Sequence, residues 1–197
     1  MKSSDCITPK NLLCFSHLRW DFLLQRPQHL LLRFADDTNI YFVENPVFDA
    51  EENPYFSFGT RSETLWKMVP HLKAGLSSSQ ITRCLIQLID EFLATADLDN
   101  WTFWYYTSAA LALTKKHKPR LTVFDCMDEV SMFRRSPEEM TILEKKLVEK
   151  ADLVFTQEYP AEGLSWDDTC SEMYHLIGQA AAYQNNQRNP VRIPPVQ

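Results

Sequence analysis

A chain of 197 residues with 45% apolar side chains, 12% aromatics and four glycines can build one well-buried domain, is short for two, and is no linker or low-complexity segment. Twenty basic against 26 acidic side chains leave a formal charge of -6, so there is no cationic field for nucleic acid and no polybasic stretch for an anionic membrane. No run of about 18 apolar residues could span a bilayer, and no apolar run precedes Asn11, so a soluble, cytoplasmic protein is expected.

Short runs of β-forming apolar residues alternate with longer helical patterns, which predicts an α/β fold with a mostly parallel sheet and crossover helices. Leu12–Ser16 reads as the first strand. A helix follows over Gln25–Ala35, with Pro27 tolerated in its first turn and Leu30, Leu31 and Phe34 as its buried stripe. Asn39–Glu44 is the second strand. Residues 45–62, with Pro46, Pro54, Gly59 and several polar side chains, read as a long loop. Thr64–Val69 reads as a weaker third strand. Ser78–Leu93 is an amphipathic helix carrying Ile81, Leu85, Leu88, Ile89 and Phe92 on one face, with Ser77 to Ser79 available as caps.

Trp101–Tyr106 is the fourth strand and Ser108–His117 a short helix. Leu121–Asp125, almost continuously apolar, suits a central parallel position. Ser136-Pro137-Glu138-Glu139 opens a helix that runs to Lys150, before a sixth strand over Asp152–Thr156. The rhythm then breaks. Gln157–Gly163 reads as a loop, Trp166–Ile177 as one amphipathic helix and Gln184–Gln197 as a polar, proline-bearing tail. The expected organisation is a tail over 1–10 and a single Rossmann-like three-layer domain over 11–157. A loop and C-terminal helix over 158–182 then pack back on the domain, and a disordered tail covers 183–197.

In open parallel sheets ligands bind beyond the carboxyl ends of the strands. The loop after the first strand, Ser16-His17-Leu18-Arg19-Trp20-Asp21-Phe22, leads into Gln25-Arg26-Pro27-Gln28-His29. Its hydroxyl, imidazole, guanidinium, carboxylate and indole groups suit a sugar, whose hydroxyls take polar contacts while its C–H face stacks on a ring. Structural roles stay open beside that one: His17 as a satisfied histidine, and Arg19 or Arg26 paired with Asp21 or Glu44. Asp125-Cys126-Met127-Asp128-Glu129 ends the fifth strand. Carboxylates there form either a cleft wall or a salt-bridged cluster with Arg134 and Arg135.

Cys6, Cys14, Cys84, Cys126 and Cys170 are odd in number and widely spaced, and read as reduced thiols. The carboxylates beside Cys126 disfavour a thiolate. The chain has no G-x-G-x-x-G after the first strand, no P-loop and no H-E-x-x-H, and no metal site is expected. A Ser-His-Asp hydrolase is set aside because no G-x-S-x-G elbow is present.

Five separated segments carry a resemblance. Ser16-His17-Leu18-Arg19-Trp20-Asp21 with Gln25-Arg26-Pro27-Gln28-His29-Leu30, then Phe42-Val43-Glu44-Asn45-Pro46, Trp104-Tyr105-Tyr106-Thr107 and Asp125-Cys126-Met127-Asp128-Glu129 stand in the order of a known pattern. Over residues 11 to 156 the chain resembles the N-terminal domain of bacterial family-4 glycosyltransferases of the teichuronic-acid and exopolysaccharide type. The resemblance implies half of a GT-B architecture, in which this domain receives the acceptor and a second one binds a nucleotide-sugar, with retention at the anomeric carbon. Leu164-Ser165-Trp166-Asp167-Asp168-Thr169 with Met173, Leu176 and Ile177 is similar to the family's last helix, which implies an internal deletion of the donor domain; a chance amphipath is the alternative.

On this basis His17, Arg19, Trp20, Asp21, Asp128 and Glu129 are the expected acceptor-binding residues, with no catalytic residue assigned. The expected partner is a sugar or glycolipid acceptor. No cofactor is expected, the nucleotide-sugar donor belonging to the complete two-domain enzyme. Weak or absent transfer by the chain alone follows. The alternative is a non-catalytic module that pairs with itself or with a separate donor-binding chain, and a peripheral position at the inner membrane stays open.

Overall fold

The computed structural model describes residues 9–126, 142–156, 163 and 165–188. Seven strands form one sheet: β1 (Asn11–Phe15), β2 (Asn39–Val43), β3 (Tyr55–Ser62), β4 (Leu65–His71), β5 (Trp101–Tyr105), β6 (Leu121–Asp125) and β7 (Leu153–Phe155). Their spatial order is β3-β4-β2-β1-β5-β6-β7, and every described pairing is parallel except β3 with β4. Without the antiparallel edge strand this is the doubly wound order, which reverses between β1 and β5. The α/β, Rossmann-like expectation from the sequence is therefore the observed fold.

Four helices among the described residues cover the sheet: α1 (Arg26–Phe34), α2 (Ser78–Phe92), α3 (Ile142–Lys150) and α4 (Trp166–Arg188). Alternation along each strand decides which face a side chain serves. Leu12 and Cys14 of β1, Ile40 and Phe42 of β2, Trp104 of β5 and Leu121 and Val123 of β6 meet α1 and α4. Leu13, Phe15, Val43, Phe103, Tyr105 and Phe124 meet Ile89 of α2 and Leu147 of α3 on the other side.

Residues 55–62, expected as loop, form β3 and pair with β4 through Tyr55↔His71 to Ser62↔Leu65. The punctuation that suggested a loop sits where an edge strand tolerates it. Pro54 precedes the first paired residue, and Gly59 lies in the strand with the free edge. The predicted third strand accordingly extends to His71. The helix expected over Ser108–His117 is reduced to a 3-10 turn at Ser108–Ala112, and the predicted helix start at Ser136 lies outside the described residues. No helix among the described residues is long and apolar enough to cross a membrane.

The last helix is longer than the Trp166–Ile177 pattern and runs to Arg188. Ser165 and Asp168 cap it reciprocally, with Ser165 N–H on Asp168 Oδ2 at 3.1 Å and Asp168 N–H on Ser165 Oγ at 3.2 Å. Cys170, Met173, Ile177 and Ala181, spaced by three and four, are buried against the sheet. Trp166 stacks on His29 of α1 with centroids 4.5 Å apart, and Arg120 Nη2 donates to the Ala181 carbonyl at 3.0 Å. The partner that this amphipathic helix required is therefore the α1 face of the sheet.

Candidate functional site

The carboxyl edge of the sheet gathers the loops after β1 and β2, the end of β4 and, because β3 runs the other way, the start of β3. The β1–α1 loop is held there by Glu44, whose side chain is 2% exposed. Its carboxylate accepts from Arg19 Nη1 at 2.9 Å and from the Trp20 backbone N–H at 2.8 Å. Further along, Gln28 of α1 donates to the Trp20 carbonyl at 3.0 Å and accepts the Gln25 N–H at 3.0 Å, which caps the helix and locks the loop to it. A polar loop thus acquires a fixed shape through charge-assisted and buried hydrogen bonds.

Asp21 reaches across to the hairpin. It takes Arg61 Nη2 at 2.5 Å and Nε at 3.0 Å in a forked pair, and Lys67 Nζ at 2.6 Å. Lys67 first, and Arg61 with it, hold the Asp21 carboxyl below its ordinary value. Between loop and hairpin lies a cleft of about 590 Å³. Arg19, Asp21, Glu44, Arg61, Lys67 and His71 supply its polar lining, and the Phe22 ring beside them is 79% exposed; the Phe58 ring turns to the other face, toward Phe92 of α2.

Two of the expected residues, Arg19 and Asp21, therefore line one cleft. Trp20 lies beneath it: the indole is 8% exposed and packs edge-on against Phe42 at 5.0 Å, so in this arrangement its ring serves the core. His17 is exposed, its carbonyl taking a hydrogen bond from Asn45 Nδ2 at 3.1 Å, and it is not among the residues lining the cleft. Asp128 and Glu129 lie outside the described residues. Ser57 and Arg61 fall in the stretch that reads as a loop, Lys67 in the predicted third strand without a site role, and His71 just beyond that strand's predicted end. The alternation of Tyr55-Phe56-Ser57-Phe58 is the signal that marks the first two.

The pairing of the arginines divides. Arg19 meets Glu44, one of the two partners expected, whereas Arg26 points to Asp125, with Nη2 2.6 Å from Oδ1. Asp125 is fully buried at the end of β6, on the same face as Trp104 and Tyr106. Burial pushes its carboxyl up to about 6, against the opposing pull of the Arg26 guanidinium, the Tyr106 hydroxyl and the Trp104 indole. A polar knot thus sits under the point where the strand order reverses. Cys14, fully buried near it, has its thiol pushed well up by burial, so it is inert.

Among the described residues no group of three or more His, Cys, Asp or Glu side chains could hold a metal ion. A second cavity of about 540 Å³, between the end of α1 and α4 at Arg33, Asp167 and Tyr174, lies away from the carboxyl edge.

No family model matches the chain, and no curated protein matches its sequence. Among solved structures, one from E. coli described as trehalose-6-phosphate bound with UDP-2-fluoro glucose is similar at a TM-score of 0.50 and 12% identity, over 83% of this chain and 43% of that one. A sucrose-phosphate synthase structure from Thermosynechococcus elongatus is similar at a TM-score of 0.41 and 11% identity, over 86% of this chain and 98% of that one. The first likeness shows a shared fold, the Rossmann-like α/β unit of GT-B proteins, and this chain spans less than half of that neighbour's length.

Proposed function

We propose that the chain is a glycosyltransferase-related protein: the acceptor-side half of a sugar-nucleotide-dependent, retaining transferase of cell-surface polysaccharide synthesis. The observation that carries this is the cleft at the carboxyl edge of a GT-B-like sheet, with forked ionic groups on its walls and the exposed Phe22 ring beside them. Carboxylates and guanidinium groups fixed in this way match sugar hydroxyls, and the exposed face of Phe22 takes the stacking role that the sequence assigned to Trp20. Arg19 and Asp21 are the proposed acceptor contacts inside the cleft, with His17, Asp128 and Glu129 proposed around it. The acceptor is a sugar or the sugar of a glycolipid. Stabilisation of the donor diphosphate falls to a second, donor-binding unit, so transfer by this chain alone is weak.

Calorimetric titration of the 197-residue chain with UDP- and GDP-sugars is expected to give no heat of binding at micromolar affinity. Micromolar binding of either donor would overturn the division of labour.

One observation favours a non-catalytic assembly role alongside this. Phe22, Leu23 and Leu24 stand 79%, 57% and 65% exposed in succession at the same edge, on a loop that Glu44 and Gln28 hold in place. Contiguous exposed apolar surface marks an interface. If the patch pairs two copies, light scattering at high protein concentration gives the mass of two chains, falling to one when Leu23 and Leu24 are both changed to Asp. A single-chain mass for the unaltered protein would remove self-pairing.

A further inference from the structure

The β3–β4 hairpin brings three side chains into a connected line that the sequence does not advertise. Ser57 Oγ lies 2.9 Å from His71 Nε2, and His71 Nδ1 lies 2.6 Å from Asp49 Oδ1. An ionised carboxylate only accepts, so the nitrogen facing Asp49 carries the proton. The lone pair of Nε2 is then directed at the Ser57 hydroxyl. Hydroxyl, imidazole and carboxylate in this order form the arrangement that activates a serine for covalent catalysis, and such a line is recognised by geometry, not by sequence motif.

Each member is held from outside the line. The His71 ring lies flat on Tyr55, with centroids 4.5 Å apart and planes within 2°. Its side chain is 15% exposed, enough burial to fix the ring and enough access for a substrate. Asp49 sits between Val47 and Ala50, and both are bonded by backbone to the end of β4: Val47 N–H to Pro70 at 2.8 Å, Leu72 N–H to Val47 at 2.8 Å and Ala50 N–H to Leu72 at 3.0 Å. Ser57 stands two residues from Tyr55 on the same strand face. Ser57 and His71 both line the cleft, where Val69 and Phe22 offer apolar wall and Arg61 and Lys67, both paired with Asp21, leave one net positive charge toward a developing oxyanion.

We propose that Ser57, His71 and Asp49 form a nucleophilic relay through which this chain takes an acyl group from a small carboxylic ester. Ser57 Oγ bonds to the ester carbonyl carbon while its proton passes to His71 Nε2. The bond from that carbon to the leaving oxygen then breaks, and the proton on Nε2 goes to the departing alkoxide. Water attacks the acyl-serine through the same imidazole, releasing the carboxylic acid and restoring the hydroxyl. Asp49 holds the imidazole in the required tautomer and balances its charge in transit. No nucleotide-sugar is involved, so the proposal stands or falls separately from sugar transfer.

The test uses the full chain with a fluorophosphonate probe and, in parallel, with p-nitrophenyl acetate, followed by intact mass and peptide mapping. The expected result is one adduct per chain on the peptide containing Ser57. It is absent from heat-unfolded protein and from Ser57→Ala with an unchanged melting temperature, and it forms about 100-fold more slowly in His71→Gln and Asp49→Asn. No adduct on the folded chain would overturn the proposal, as would an adduct at another residue or a rate indifferent to His71→Gln. Loss of melting temperature in Ser57→Ala and Asp49→Asn with no adduct in the unaltered protein would likewise overturn it, reducing the three residues to a clasp that ties loop to hairpin.

Discussion

Replacing Arg26 by Leu is expected to cost about 3–5 kcal/mol of folding stability at neutral pH, because it strands a fully buried carboxylate. Asp125 has no exposure, the Arg26 side chain has 10%, and the two approach to 2.6 Å. The Tyr106 hydroxyl and Trp104 indole are neutral donors and cannot replace a cation in a medium of low dielectric. The loss should also depend on pH. Burial raises the Asp125 carboxyl to about 6 against an ordinary 3.8, so the folded state holds the proton more tightly than the unfolded chain. The resulting stabilisation is fully present below the unfolded value and disappears as pH rises through about 6. Removing Arg26 removes the attraction that limits this rise, so the deficit of Arg26→Leu shrinks on acidification from pH 7 toward about pH 4. Urea unfolding of both proteins across that range measures the difference and cancels groups common to both. The double change with Asp125→Asn should recover most of the neutral-pH loss. A cost under about 1 kcal/mol at pH 7 would mean that the pair is hydrated and not structural.

Ending the chain at residue 164 is expected to abolish cooperative unfolding. Without α4 the sheet loses the cover of Cys170, Met173, Ile177 and Ala181, and exposes Phe34, Trp104 and Phe155 of the same cluster. Each large side chain returned to water costs roughly 1.5–3 kcal/mol, and a domain of this size has about 5–15 kcal/mol in all. Arg120, 7% exposed, would also lose the Ala181 carbonyl that takes its Nη2 proton. Near-ultraviolet circular dichroism should lose its aromatic signal and thermal melting its sharp transition. A milder variant, Met173→Ala, keeps the helix and is expected to cost about 2–5 kcal/mol for a residue with no exposure. A shortened chain that melts as sharply as the full one would show that α4 is an ornament on the domain.

These two sites illustrate what could be read in advance. Met173 and Ile177 repeat at helical spacing, so a periodic stripe identified both the helix and its need for a partner, although the polar residues after Ile177 concealed its run to Arg188. The contrast between Glu44 and Asp125 is harder. Both are single carboxylates at strand ends, and nothing local tells which of Arg19, Arg26, Arg61 and Lys67 each will meet. Charge pairing acts through space, and only the register of the sheet sets those distances. The β3 strand escaped detection because Pro54 and Gly59 are loop signals in isolation, and an edge position, where they are tolerated, is itself a tertiary fact.

The sequence by itself determined the alternation of strands and helices and the placing of the polar loop after β1 at the carboxyl edge, since each follows from periodicity, turn chemistry or composition within a few residues. Tertiary structure alone decided that Trp20 faces the core, that Asp21 closes on Arg61 and Lys67, and that Ser57, His71 and Asp49 stand in one line. The physical reason is that these depend on the pairing of β3 with β4 and on where a loop folds back across the sheet. Such contacts join residues up to 46 positions apart, far beyond the reach of local pattern.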